Sequence, residues 1–314
     1  MNKVEMTMNE KIINTIDYKD HFWNAMRGWE HSEAVFEQGR DTRTGSYALP
    51  GGSEDGYDRA IRKEGVFRNI STVVNAYGGP SRIYAKDCDD LAAWVPESEA
   101  IPLADGMKDF TKYTVDSHKL AAFVKLDNDF VHDAAFDFEG YLTGRMAKCL
   151  ARAEDKGFLA GNGQSEPTGI LEPEKGAETG VTAGSLTYDD VVKLYFSVKP
   201  EYRRNGVWLM NDETALALRT LKDDNGSYLW NHSDDTILGK PVEISEYMPG
   251  AESGKAPVLF GDFRYYWIVR RSPVTVKRLT ELYVKHDQTG YLAIEFLDEK
   301  LIRREAVKAL RIGE

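Results

Sequence analysis

The chain has 314 residues, 42% of them hydrophobic and 29% charged, with a formal net charge of −11. That length supports one large domain or two to three lobes with their own cores, and no run of about 18 apolar residues is present to span a membrane. The acidity argues against a compact nucleic-acid reader, which would ordinarily be basic, but not against a protein that encloses nucleic acid and touches it weakly.

Met1–Asn14 is polar and lacks the apolar stretch of a signal peptide. Lys19–Phe36 has helical spacing, with Phe22, Met26 and Trp29 on one face. Arg40–Gly45 is polar and turn-rich, and Gly51-Gly52 follows, so a helix and then a flexible arm are expected. Arg68–Tyr77, Arg82–Ala85 and Lys119–Leu126 read as short strands. Between the last two, Pro96–Lys108 reads as a long hairpin loop that needs a neighbour to cover it.

Asp127–Leu159 is the strongest helical signal, with Val131, Ala135, Phe138, Leu142, Cys149 and Ala153 recurring on one side and Asp127 or Asp129 as its cap. Such a rod would be about 45 Å long. Thr187–Val198 opens with a capping-box pattern, Thr187 and Asp190. Val207–Met210 reads as a buried strand, and Asn211 or Asp212 caps a short helix through Leu221. Asp224-Asn225-Gly226 is a turn, with strand resuming at Ser227–Trp230. Val258–Val276 is strand-like, and Tyr291–Ile312 mixes apolar and charged residues.

Chemistry-bearing motifs are weak. Gly161–Gly169 (GNGQSEPTG) invites a phosphate-loop reading, but no lysine follows Gly169 and a helix, not a strand, precedes it. A helix end followed by tight turns accounts for Gly161, Gly163, Pro167 and Gly169. None of the histidines, His21, His31, His118, His132, His232 and His286, has metal-site spacing with another His or a Cys, so no metal or cofactor is expected. Cys88 and Cys149 are too few for a disulfide framework, and Cys149 reads as a small buried hydrophobe in a reducing, cytoplasmic setting. Ser165 lies in no nucleophile elbow. The acidic runs Asp87–Asp90 and Asp223-Asp224 read as solvated loops. Arg203-Arg204 and Arg303-Arg304 read as inter-subunit partners or surface charge.

Several segments, in order, resemble the major capsid proteins of tailed bacteriophages, with the Hong Kong 97-type fold. Gly45–Pro50 (GSYALP) is similar to the start of that family's N-arm. Lys156–Gly163 with Pro167–Leu171 is similar to its turn after the spine helix, and Leu221–Leu229 to a strand–helix–turn module. Leu238–Val242 and Val258–Phe263 match two further landmarks, so the resemblance covers residues 45 to about 312. It implies a non-enzymatic α+β subunit that self-assembles through pentamers and hexamers into an icosahedral shell around double-stranded DNA. Assembly in the host cytoplasm and residence in the virion follow, as do a scaffold, a maturation protease and a portal as partners.

The implied division is residues 1–60, N-terminal helix and N-arm; 61–125, extended loop and flanking strands; 126–185 with 256–314, peripheral domain with the spine helix; and 186–255, axial domain. Many family members carry a longer scaffolding segment before the Gly45 motif. Met1 to about Arg43 is therefore expected to be a residual scaffold or arm helix that a protease could trim. The loop around Glu99–Pro102 lacks a lysine at the position that cross-links some relatives, so no covalent cross-linking is expected. An encapsulin-like nanocompartment and, from another class, a soluble hydrolase with a scattered site remain as alternatives.

Overall fold

The computed structural model describes residues 12–77, 82–86, 94–96, 110–222, 225–228, 230 and 236–313. Its strands form two large sheets and a separate two-stranded hairpin.

The N-terminal region is helix α1 (Ile16–Arg27), helix α2 (Glu33–Phe36) and strands β1 (Arg40–Asp41) and β2 (Ser46–Ala48). The expected single helix over 19–36 is broken at Gly28, which adopts a left-handed φ of 78° and lets the amides of Gly28 and Trp29 cap carbonyls of α1. The expected flexible arm is also replaced. Strand β2 pairs with β13 (Thr275–Leu279). Tyr18, Phe22 and Met26 are buried in the main core, while Trp29 sits at the surface. The Tyr18 hydroxyl donates to the Ala48 carbonyl at 2.7 Å, and the Tyr291 hydroxyl to that of Met26 at 2.9 Å.

Helices α3 (Gly51–Glu64) and α4 (Phe67–Ile70) lead into strand β3 (Thr72–Asn75). Strands β4 (Arg82–Lys86) and β5 (Phe110–Thr114) form the hairpin. The expected loop at 96–108 lies outside the described residues except for Pro96. The hairpin's base is held by a small cluster of Ile83, Ala85, Val115, Val269 and Ile302.

Strand β6 (His118–Asp127) then pairs along ten residues with β14 (Gln288–Leu301). That pairing corrects the long-helix expectation. Asp127 finishes a strand, a short helix α5 (Asn128–His132) follows, and the long helix α6 runs only over Phe138–Ala160. Its cap is Asp137, whose side chain accepts from the Gly140 amide. At 23 residues it is about 34 Å long. Ala135 and Ala153 are exposed, and the core face is Phe138, Leu142, Met146, Leu150 and Phe158.

The larger sheet has the order β1-β2-β13-β14-β12-β3, with β12 spanning Tyr266–Arg270 and β6 added on β14. Its core is filled by α1, α3 and α6. The smaller sheet has the order β7-β15-β11-β8-β10-β9, from β7 (Glu178–Ala183), β8 (Val207–Met210), β9 (Thr236–Ile237), β10 (Lys240–Ile244), β11 (Val258–Gly261) and β15 (Val307–Ile312). Helix α7 (Tyr188–Ser197), capped by Thr187, packs on it, followed by the short helix α8 (Pro200–Arg203) and by α9 (Asp212–Arg219), capped by Asn211.

Sheet membership cuts across chain order. Strands β7, β11 and β15 come from 126–185 and 256–314 but join the smaller sheet, while β3 and β6 from 61–125 join the larger one. Such recruitment is set by long-range pairing, which local pattern does not encode. A third core joins the two sheets through Phe67, Phe158, Leu159, Ile170, Leu259 and Tyr266.

Candidate functional site

The segment after α6 folds back onto the helix end. The Gly161 amide still bonds Gly157, and the chain then turns so that Asn162 bridges Thr168. The Asn162 side chain accepts from the amides of Gln164 and Ser165 at 2.8 and 3.2 Å. The Gly163 amide donates to the Pro167 carbonyl at 3.2 Å, and the Gly169 amide to that of Gly161 at 2.9 Å. Amides of Ile170 and Leu171 then reach Phe158 and Leu159 at 2.8 and 3.1 Å, satisfying carbonyls that a helix end leaves open. The four singled-out residues are therefore brought together. Only Gly163 has positive φ, at 71°. Gly161 and Gly169 are needed for close approach: a Cβ would lie 2.1 Å from the Pro167 carbonyl oxygen and 2.4 Å from that of Leu159, respectively. Ile170 carries the turn into the core that joins the two sheets.

Beside this turn, α6 contributes to a buried charge network that sequence reading missed. Arg68 makes two parallel bonds to Glu154, at 2.8 and 2.6 Å, and a third to Glu295 at 3.0 Å. Glu295 also accepts from Arg270 at 2.9 Å and from the Tyr57 hydroxyl at 2.8 Å. Arg270 reaches Glu54 at 2.8 Å, and Asp58 lies 3.6 Å from each arginine. Five elements, α3, α4, α6, β12 and β14, are thereby tied together. Asp155, the next residue on α6, accepts from the amides of Val66 and Phe67 at the start of α4. The residues are far apart in sequence and carry no local signature; an arginine in an otherwise apolar strand such as β12 was the available cue.

Burial pushes the Glu154 carboxyl up to about 7, against the pull of Arg68. Burial moves Glu54 and Asp155 in the same direction. Burial also raises Glu295, but Arg68 and Arg270 outweigh it and hold that carboxyl below its usual range. The signs are opposite. A raised acid stabilises fully below its unfolded pKa near 4.5 and loses that contribution as pH rises through about 7. A depressed acid loses its contribution as pH falls below that unfolded value. Stability is therefore expected to peak on the acid side of neutrality and to fall toward pH 8, by up to about 1.4 kcal/mol per pH unit for each raised carboxyl. Urea midpoints from pH 4 to 9 check this, and Glu154→Gln should make the alkaline limb shallower without abolishing it, since burial also pushes the Glu299 carboxyl up to about 8; a flat profile in the native chain would refute it.

Other singled-out residues have ordinary surroundings. Cys149 is half-buried against the main core and is a free thiol; Cys88 and His232 lie outside the described residues. Ser165 is an exposed turn residue. His21 accepts the Ser32 amide at 3.0 Å. The arginine pairs are used within the chain: Arg304 donates to the carbonyls of Gly176 and Pro173, and Arg203 lies over the Tyr195 and Phe196 rings. No helix among the described residues is long and apolar enough to cross a membrane.

Residues 45–312 match the model of the phage capsid family. The chain belongs to that family. Its fold is of the Hong Kong 97 type, and its role is structural, not enzymatic. A capsid of the empty GTA particle, solved with C5 symmetry, is 29% identical with a TM-score of 0.67, covering 79% of this chain and 89% of that one. The capsid of the native particle is 30% identical with a TM-score of 0.63 over 79% and 90%. Gordonia phage Cozz, at 13% identity and a TM-score of 0.54 over 80% and 87%, shares the fold. Among curated proteins, the capsid polyprotein of Pseudomonas phage PAJU2 is 26% identical over 53% of this chain, and a probable major capsid protein of Mycobacterium phage D29 is 25% identical over 56%. The matched regions span 26% and 57% of those two proteins' own lengths.

Proposed function

We propose that the chain is a major capsid protein that assembles through pentamers and hexamers into a closed icosahedral shell around double-stranded DNA. The observation that carries this reading is the family match over 45–312, joined to the likeness to a fivefold-symmetric capsid. The larger-sheet unit takes the part of the peripheral domain, the smaller-sheet unit that of the axial domain, and the β4–β5 hairpin that of the extended loop. The turn at Gly161–Gly169 is a structural joint between the two units. A net charge of −11 favours a shell lining that does not grip packed phosphate. A scaffold, a maturation protease and a portal are partners this reading admits without depending on them, and virion is its final location after assembly in the host cytoplasm.

Residues 12–43 supply buried core side chains, so trimming near Arg43 would open the larger-sheet unit, and we propose that this segment stays in the mature subunit. Electron microscopy of the purified chain should reveal hollow shells or capsomers, and intact-mass measurement of their subunits should retain the segment from Ile12 onward. A species that stays monomeric under all assembly conditions would overturn the shell reading. Shells whose subunits begin near Gly45 would overturn only the retention of the N-terminal segment.

A further inference from the structure

Where the hairpin meets the larger sheet, Asp116 and His118 converge with Asp298 of β14. The potential ligand atoms of these three side chains lie within 4.8 Å of one another. Asp298 is wholly buried, and its two oxygens are treated differently. Oδ2 accepts from the Asp116 amide at 2.7 Å and from the Lys300 ammonium at 3.0 Å. Oδ1 is buried with no hydrogen-bond partner. It faces His118 Nε2 at 3.7 Å, too long for a hydrogen bond. An orphaned carboxylate oxygen is costly to bury, and this one faces the His118 imidazole, with the Asp116 carboxylate in the same cluster.

We infer that Asp298 Oδ1, His118 Nε2 and the Asp116 carboxylate form a binding site for a first-row divalent cation of the zinc class. One imidazole with two carboxylates suits such an ion, with three protein ligands leaving a position for water. Ligand atoms about 2.0–2.1 Å from a tetrahedral ion lie about 3.4 Å apart, so the 3.7 Å between His118 Nε2 and Asp298 Oδ1 needs only a small closure. The exposed Asp116 carboxylate, in a cluster whose ligand atoms lie within 4.8 Å of one another, would swing in to complete the set. The Asp116 amide and Lys300 fix the carboxylate through its other oxygen, the kind of outer support that metal ligands ordinarily have. The bound ion would cross-brace β14 to the segment leading out of β5 and so set the angle at which the hairpin leaves the sheet. Sequence spacing concealed the site, since Asp298 lies 180 residues from His118.

The test is zinc binding to the tag-free full chain at pH 7.5, by equilibrium dialysis with elemental analysis and by thermal melting. The native chain should hold about one zinc and gain about 5 °C in Tm at zinc a hundredfold above Kd. His118→Ala and Asp116→Asn, both outside the core, should fold and lose at least tenfold in affinity. His132→Ala, at an exposed histidine elsewhere, should bind as the native chain does. Absence of stoichiometric zinc, or equal binding by the His118 and Asp116 variants, overturns the site. A Tm that rises on acidification but ignores zinc also overturns it, assigning the cluster to a simple His118–Asp298 ion pair.

Discussion

Arg68→Leu should destabilise the subunit by about 3–5 kcal/mol, because it strands the buried Glu154 and part of the demand of the buried Glu295 without their partner. Arg68 is only 3% exposed and supplies three of the network's bonds. The effect belongs to the uncompensated charge, not to the net worth of the ion pair. The double variant Arg68→Leu with Glu154→Leu should therefore recover part of the loss, since Glu295 keeps Arg270 and Tyr57. Urea unfolding of all three chains measures it. A loss below about 1 kcal/mol in the single variant, the range of an exposed pair, would mean that the network is solvated.

Gly169→Val should cost about 3 kcal/mol and abolish shell formation before it abolishes folding. A Cβ there meets the Leu159 carbonyl oxygen at 2.4 Å and backbone nitrogens of Gly161 and Ala160 at 2.6 and 2.7 Å. These are backbone atoms of a helix end, so no side chain can rotate away and the turn must lift off α6. Ile170 would leave the core between the sheets with it. Gly163→Val strains φ instead and meets the Thr168 side chain at 2.7 Å, which can shift, so its cost should be smaller. Capsomer yield by gel filtration and the melting curve of each variant separate the two. Equal yields of normal shells from Gly169→Val and the native chain would end the structural-joint reading of this turn.

The parts legible in the sequence are those governed by local rules. The caps at Thr187 and Asn211 and the buried strand at Val207–Met210 lie where spacing placed them. Local spacing extends the long helix too far at its start because Val131 and Phe138 keep helical spacing across a break. What decides that break is the pairing of Asp127 with Gln288, 161 residues away, together with the better cap at Asp137. The N-terminal region read as loose because its partners, Tyr291 and the Val274–Val276 segment, come at the other end of the chain. The charge network and the Asp116–His118–Asp298 cluster were invisible for the same reason. Each is assembled by β14, a strand whose mixed apolar and charged sequence does not show that pairing with β6, β12 and β13 buries its acidic residues.

The core shared by the two sheet units limits how such a subunit can adapt. Two bodies joined by a linker could swivel to suit rings of different size, but here Phe158, Leu159 and Ile170 interlock with Leu259 and Tyr266 in one packed mass. Close-packed interiors resist shear. A chain asked to sit in both five- and six-membered rings must then take up the angular difference at its margins, such as the β4–β5 hairpin, whose base is packed in a small cluster separate from the main cores. Curvature of the assembled surface would then be set where each subunit meets its neighbours, and not by a hinge within it.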